Sequence, residues 1–112
     1  MVVITLILTR TYFPTKLAAK VGKKYIEWLK DNPPDNTIEK NICIGVSSTE
    51  DGDTFVIGVG RIMKGKEQEA LERITKQTVF MASEVEGLRA KNEIILDFTE
   101  AYKIIGMDAP EI

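Results

Sequence analysis

Two runs of alternating apolar and polar residues, 42 to 47 and 54 to 63, flank the polar segment Ser48-Thr49-Glu50-Asp51-Gly52-Asp53. Alternation on both sides of an Asp-Gly turn predicts a β-hairpin. Side chains along a strand point to opposite faces in turn, so Ile42, Ile44 and Val46 share one face and Cys43, Gly45 and Ser47 the other. In the second run Phe55, Ile57 and Val59 oppose Val56, Gly58, Gly60 and Ile62. Pairing Ser47 with Thr54 would set Val46 beside Phe55 and Ile44 beside Ile57, which gives the hairpin one bulky face and one face of small residues.

The rest of the chain is ordered around this hairpin. Residues 2 to 12 read as a strand, with Val2, Ile4, Leu6 and Leu8 on one side and Val3, Thr5, Ile7, Thr9 and Thr11 on the other. Pro14 and Thr15 end it, and Thr15 is placed to cap a helix in which Leu17, Val21, Tyr25, Trp28 and Leu29 recur at helical spacing. Lys16, Lys20, Lys23, Glu27 and Lys30 take the opposite side, and Pro33-Pro34 stops the helix. A second helix is predicted over residues 66 to 88, with Leu71, Ile74, Thr78, Met81 or Ala82, Val85 and Leu88 as its apolar stripe and Glu67 and Glu69 suiting its dipole. Residues 94 to 98 form a last short strand with Ile94, Leu96 and Phe98 inward, and Thr99 is placed to cap a terminal helical turn over residues 100 to 105, closed by Gly106.

The order β-α-β-β-α-β defines an α+β, ferredoxin-like arrangement: a four-stranded antiparallel sheet, two helices on one face and a short C-terminal helix, in a single domain spanning residues 1–112. Two helices cover one face of such a sheet. The face expected to stay uncovered carries Val3, Thr5, Ile7, Thr9, Thr11, Cys43, Gly45, Ser47, Val56, Gly58, Gly60, Ile62, Glu93, Ile95 and Asp97, an expanse of roughly 400 Å² with very little charge. A face so poor in charge predicts a homodimer packed sheet against sheet, extendable to a higher oligomer, with a cavity left between side chains too small to fill the space.

Composition narrows the chemistry. Hydrophobic residues at 44%, charged residues at 29% and a net charge of −2 describe a globular protein and not a disordered one. The sequence has no histidine, which excludes His-dependent triads, His-ligated haem and the usual zinc sites, and neither a cofactor nor a metal is predicted. The lone Cys43 forms no internal disulfide and points to a reducing, cytoplasmic setting. The apolar start ends at Arg10, far short of a span of about 20 residues, and reads as a buried strand; no membrane partner is expected.

Candidate ligand-binding residues are Thr5, Thr9, Cys43, Gly45, Gly58, Gly60 and Asp97. Asp97, a carboxylate inside an apolar strand, is the candidate general base, against the plainer reading of a solvated or Arg-paired aspartate. Cys43 lacks a histidine base and reads as a plain thiol. Arg10, Tyr12 and Arg61 could clamp an anionic ligand or simply be surface residues, and Trp28 reads as a core anchor. Gly58-Val59-Gly60 lies inside a strand and is no nucleotide fingerprint. The lysines of the first helix read as a solvated face, because the chain is acidic and its sheet lacks exposed aromatic residues for stacking bases, so no nucleic-acid partner is expected.

The order of elements, the apolar opening strand and the terminal helix resemble the dimeric α/β-barrel superfamily. These are ferredoxin-like proteins that include antibiotic-biosynthesis monooxygenases, muconolactone isomerase-like proteins and stress-responsive barrel proteins. The resemblance covers nearly the whole chain and is one of pattern. It implies paired sheets and a small organic ligand held between sheet and helices. The histidines of haem-handling members have no counterpart here, so no catalytic residue is carried over. Three readings follow: a cytoplasmic dimeric barrel binding a small, partly apolar molecule; a non-enzymatic ligand-sensing or assembly module; and a cofactor-independent monooxygenase or isomerase. A regulator's sensing domain is ordinarily joined to a DNA-binding helix-turn-helix, and residues 1–112 contain none.

Overall fold

The computed structural model describes residues 4–112. Val2 and Val3 of the expected first strand lie outside the described residues. Four strands, β1 (Thr5–Pro14), β2 (Glu39–Ser48), β3 (Asp53–Ile62) and β4 (Arg89–Leu96), form one antiparallel sheet in the order β2-β3-β1-β4. A 3-10 turn (Thr15–Leu17) leads into α1 (Ala18–Asp31), α2 is Glu67–Glu84, and α3 is Phe98–Ile104. The predicted βαββαβ order with its short C-terminal helix is therefore present.

The hairpin register differs from the expected one by a single residue. Ser48, not Ser47, pairs with Thr54, so Val46 faces Val56, Gly45 faces Ile57 and Ile44 faces Gly58. The turn is the cause. The Thr49 amide donates to the Asp53 carbonyl at 2.9 Å, and Glu50-Asp51-Gly52 closes the loop with Gly52 at φ +83°, the left-handed residue that ends a tight hairpin loop. A one-residue slip exchanges the faces of a strand. Ile44 and Val46 thus share a side with Val56 and Gly58, while Phe55, Ile57 and Val59 share the other with Ser47, Gly45 and Cys43. A bulge between Asn41 and Cys43 absorbs Ile42 and restores Asn41 to the side of Gly60.

The core sits between sheet and helices in two clusters. Phe13 packs with Met81, Val85 and Leu88, joined by Leu17, Val21, Tyr25 and Phe80. Ile7 and Ile62 pack on Ala70, joined by Ile38, Leu71 and Ile74. Helix-facing positions are therefore Ile7, Thr9, Thr11 and Phe13 of β1 and, opposite them, Gly60, Gly58, Val56 and Thr54 of β3. This reverses the expectation for β1 and β3, whose Thr5, Thr9, Gly58 and Gly60 were placed on the uncovered face. Both sides of β1 are apolar, with Ile7 and Phe13 on one and Leu6, Leu8 and Tyr12 on the other, so alternation could not say which side meets the helices.

The open face carries Leu6, Leu8, Tyr12, Phe55, Ile57 and Val59 at its centre, with Arg10, Arg61, Arg89, Lys91 and Glu93 around them. Arg10 reaches Glu93 at 2.6 Å, Tyr12 stacks on Phe55 with ring centroids 4.8 Å apart, and the Arg89 guanidinium lies 5.7 Å from the Tyr12 ring. Charges at the rim let this face meet water, contrary to the expectation of a face nearly free of charge.

Local corrections follow the same physics. Thr15 does not cap α1; its hydroxyl is 2.9 Å from that of Thr54, and its amide donates to the Gly52 carbonyl at 3.0 Å, tying the end of β1 to the hairpin turn. Helix α2 stops at Glu84 because Val85 adopts an extended conformation, and Gly87, at φ +83° and with a Cβ position 3.2 Å from the Pro14 Cγ, turns the chain into β4. Strand β4 starts at Arg89, five residues before the predicted 94, because Arg89, Lys91 and Glu93 alternate with Ala90 and Asn92 and put their charges on the open face. Phe98 belongs to α3, and Asp97 rather than Thr99 caps it, its Oδ2 accepting from the Thr99 amide at 3.2 Å.

Candidate functional site

The two helices do not fill the space above the sheet. Helix α2 packs near β4, α1 packs on α2, and beneath them lies a cavity of about 700 Å³, within the range of small-molecule sites. Its floor is built from Thr9, Thr11, Val56, Gly58 and Gly60, and its roof from Val21, Tyr25, Trp28, Leu29, Ile74 and Met81. Trp28 meets Phe80 with centroids 5.5 Å apart, so the expected core anchor also has one side on the cavity. The cavity opens along the edge strand, where its lining residues Ile44 and Val46 keep 56% and 69% of their surface exposed.

Glycines create the depth of the floor. A Cβ on Gly58 would stand 2.8 Å from Thr9 Oγ1, and one on Gly60 would stand 2.0 Å from Glu39 Oε2, so the Glu39 carboxylate occupies the space that a side chain at residue 60 would need. Glu39 enters the cavity from the first residue of β2, and burial pushes its carboxyl above the ordinary carboxylate range, opposed by the more distant Arg73 guanidinium. Arg73 donates through NH2 to the carbonyls of Asn32, at 3.1 Å, and Pro33, clamping the loop between α1 and β2 onto α2. In that loop Asp35 accepts from the amide and hydroxyl of Thr37, which holds its carboxyl below the usual range.

A second polar group lies on the α2–β4 side. The Thr78 hydroxyl donates to the Ile74 carbonyl at 3.0 Å and accepts from Asn92 Nδ2 at 3.0 Å. Asn92 Oδ1 is buried and has no hydrogen-bond partner among the described residues. A buried amide oxygen left unpaired costs about 1–3 kcal/mol. Apolar walls with Glu39, Arg73, Gln77, Thr78 and Asn92 among them can hold a molecule that is mostly apolar and carries donors at its polar parts.

Of the residues expected to bind a ligand, Thr9, Gly58 and Gly60 line this cavity. Thr5 pairs with Ile62 and Leu96 at the start of β1, beyond it. Cys43 and Gly45 lie on the open face of β2, and Asp97 caps α3. Arg10, Tyr12 and Arg61 are also on the open face. Sequence reading missed Glu39, Arg73, Gln77 and Asn92; a threonine on the apolar stripe of α2 and an asparagine amid the residues of β4 were the available signals for Thr78 and Asn92. No group of three or more Cys, Asp or Glu that could hold a metal occurs among the described residues, and no helix among them is long and apolar enough to cross a membrane.

No protein-family model matches the sequence, and no curated protein matches it. Solved structures resemble it in fold. The C-terminal domain of the MgtC protein from Mycobacterium tuberculosis aligns with a TM-score of 0.50 at 8% identity, over 80% of this chain and 88% of that one. A protein assigned as a glycine cleavage system transcriptional repressor gives 0.54 at 7% identity, over 87% of this chain and 50% of that one. A dimeric ferredoxin-like protein from an uncultured marine organism gives 0.50 at 12% identity, over 86% and 96%. At such identities the likeness speaks for architecture alone, and with the strand order and pairing described above it makes this chain a ferredoxin-like βαββαβ protein.

Proposed function

We propose that this chain acts as a single domain that binds a small, partly apolar molecule in the cavity between its sheet and helices, and that it does so as a homodimer. The cavity of about 700 Å³ carries this reading, since a core built only for stability would close on itself. The dimeric ferredoxin-like protein of similar fold supports the homodimer. The molecule's apolar body would lie against Tyr25, Trp28, Val56 and Met81.

Trp28, the only tryptophan, lies in the cavity wall and reports on occupancy. A neutral aromatic probe such as N-phenyl-1-naphthylamine is expected to quench its emission saturably, one probe per chain. Gly22 lines the cavity from α1 with nothing within 4 Å of its Cβ position, so Gly22→Phe can enter without a clash and should weaken the probe at least about tenfold. Absence of saturable quenching, or quenching indifferent to Gly22→Phe, would end this reading.

Glu39 favours a second, enzymatic reading. A half-buried carboxylate with a raised pKa, inside a cavity, suits a general base in cofactor-independent proton transfer. Once a turned-over substrate is in hand, Glu39→Gln should remove turnover while leaving probe affinity within a few-fold of the wild type; retained turnover would leave the binding role only.

A further inference from the structure

The two edges of the sheet are treated differently. Edge strand β4 alternates Arg89, Lys91 and Glu93 over its first five residues, the usual protection against pairing with another chain. Edge strand β2 has no charge from Asn41 to Ser48, and it bears Ile42, Ile44 and Val46, more than half exposed. Helix α1 continues this surface. Leu17 just before it and Val21, Lys24 and Trp28 within it turn towards α2, which leaves Ala19 and Ile26, flanked by the exposed Lys23 and Lys30, on the side away from α2, with Ile26 60% exposed.

We infer that a second copy of this chain pairs with β2 along this edge, β2 to β2 and antiparallel, about a twofold axis through Gly45 that is perpendicular to the sheet. An axis through a residue, rather than between two, keeps helix-facing side chains on one side of the joined sheet, and Gly45 is the position that sets Ile44 of each copy beside Val46 of the other. The result is a continuous eight-stranded sheet with the two α1 helices over it, the small Ala19 on the side of each that faces the other. The bulge at Ile42 limits the regular pairing to residues 43–47.

The area is that of a small interface. Ile26, Ile42, Ile44 and Val46 expose on the order of 100 Å² each. With the axis at Gly45 the two strands overlap over residues 42–48, about 23 Å, and a sheet with a helix stacked about 10 Å above it presents roughly 450 Å² along that length. A standard interface takes about 800 Å² per partner. The pairing also completes the binding site: the cavity opens over Ile44 and Val46, so the two mouths meet at the axis and each copy supplies the wall that the other lacks. This inference rests on the homodimer proposed above and names its surface.

Sedimentation velocity on the full chain, with three variants, tests it. The wild type is expected to sediment as a dimer, and Ile26→Lys/Val46→Lys to dissociate at least about 100-fold more readily, since two charges would be buried unpaired. Both positions are exposed, so an unchanged circular dichroism spectrum should accompany the loss. Ile57→Lys, on the open face, should leave the dimer intact. Cys43→Ser/Gly45→Cys should form a disulfide-linked dimer under mild oxidation, because a Cβ at Gly45 meets only Ile57 Cγ2 at 3.5 Å and directly opposed strand residues lie within disulfide range. A monomeric wild type overturns both the dimer and its surface. A dimer broken by Ile57→Lys but not by the edge variant, or one in which residue 45 fails to cross-link, overturns the surface alone.

Discussion

Gly60→Ala isolates the relation between the cavity floor and its carboxylate. Gly60 is not among the glycines with positive φ, so alanine suits its backbone, and the three atoms nearest the added methyl all belong to Glu39, Oε2 at 2.0 Å, Cδ at 2.7 Å and Cγ at 2.9 Å. These are the outer atoms of a flexible side chain, so Glu39 should swing out towards the mouth while the sheet stays in place. Loss of glycine's freedom in the unfolded chain contributes about 0.4–1 kcal/mol in favour of the variant. Displacing Glu39 from its rotamer costs about 0.5–1.5 kcal/mol. The two nearly cancel, and the net change in stability should stay within about 1 kcal/mol, a shift of the thermal midpoint under roughly 8 °C. The larger effect is on titration. With its carboxyl moved into water, Glu39 loses the burial that raises its pKa and should titrate like an ordinary glutamate. Carboxyl carbon shifts followed by NMR against pH would show the Glu39 midpoint fall. An unchanged midpoint, or a loss of stability above about 3 kcal/mol, would show that Glu39 does not occupy the space over Gly60.

Val85 is fully buried between Phe13 and Leu88, and Val85→Ala should cost about 1–3 kcal/mol and lower the thermal midpoint by roughly 4–12 °C in calorimetry. Glu39→Gln should change stability with a definite sign. Because the folded-state pKa lies above the ordinary 4.5, the stability linked to the Glu39 proton is complete below that value and is lost as pH rises through the raised one. The variant should therefore gain on the wild type between pH 4 and 7 in urea midpoints, and an equal difference at both pH values would contradict this. Asp97→Ala removes the α3 cap, at a cost of about 1 kcal/mol visible as faster amide exchange in residues 98–104, with probe affinity in the cavity unaltered.

Element order and type were legible in the sequence because they depend on local pattern: period two around an Asp-Gly turn for the hairpin, helical spacing of Leu17, Val21, Tyr25 and Trp28 for α1, and Pro33-Pro34 for its end. The depth of the site was legible in part, since glycines within a strand mark a place where something comes close, and Gly58 and Gly60 do lie beneath Thr9 and Glu39. Which face those glycines take was decided only by the tertiary structure. With apolar residues on both sides of β1, the choice rests on which set fits the helices, and Ile7 and Phe13 are the ones that meet Ala70 and Val85. The hairpin register was likewise decided by the turn at Gly52, and a change of one residue there leaves Ile44 and Val46 on the helix side while setting Gly58 and Val56, not Ile57 and Phe55, beside them. Glu39 from β2, Arg73 and Thr78 from α2 and Asn92 from β4 are brought to one cavity only by packing, so the association of the three elements had no trace in spacing along the chain.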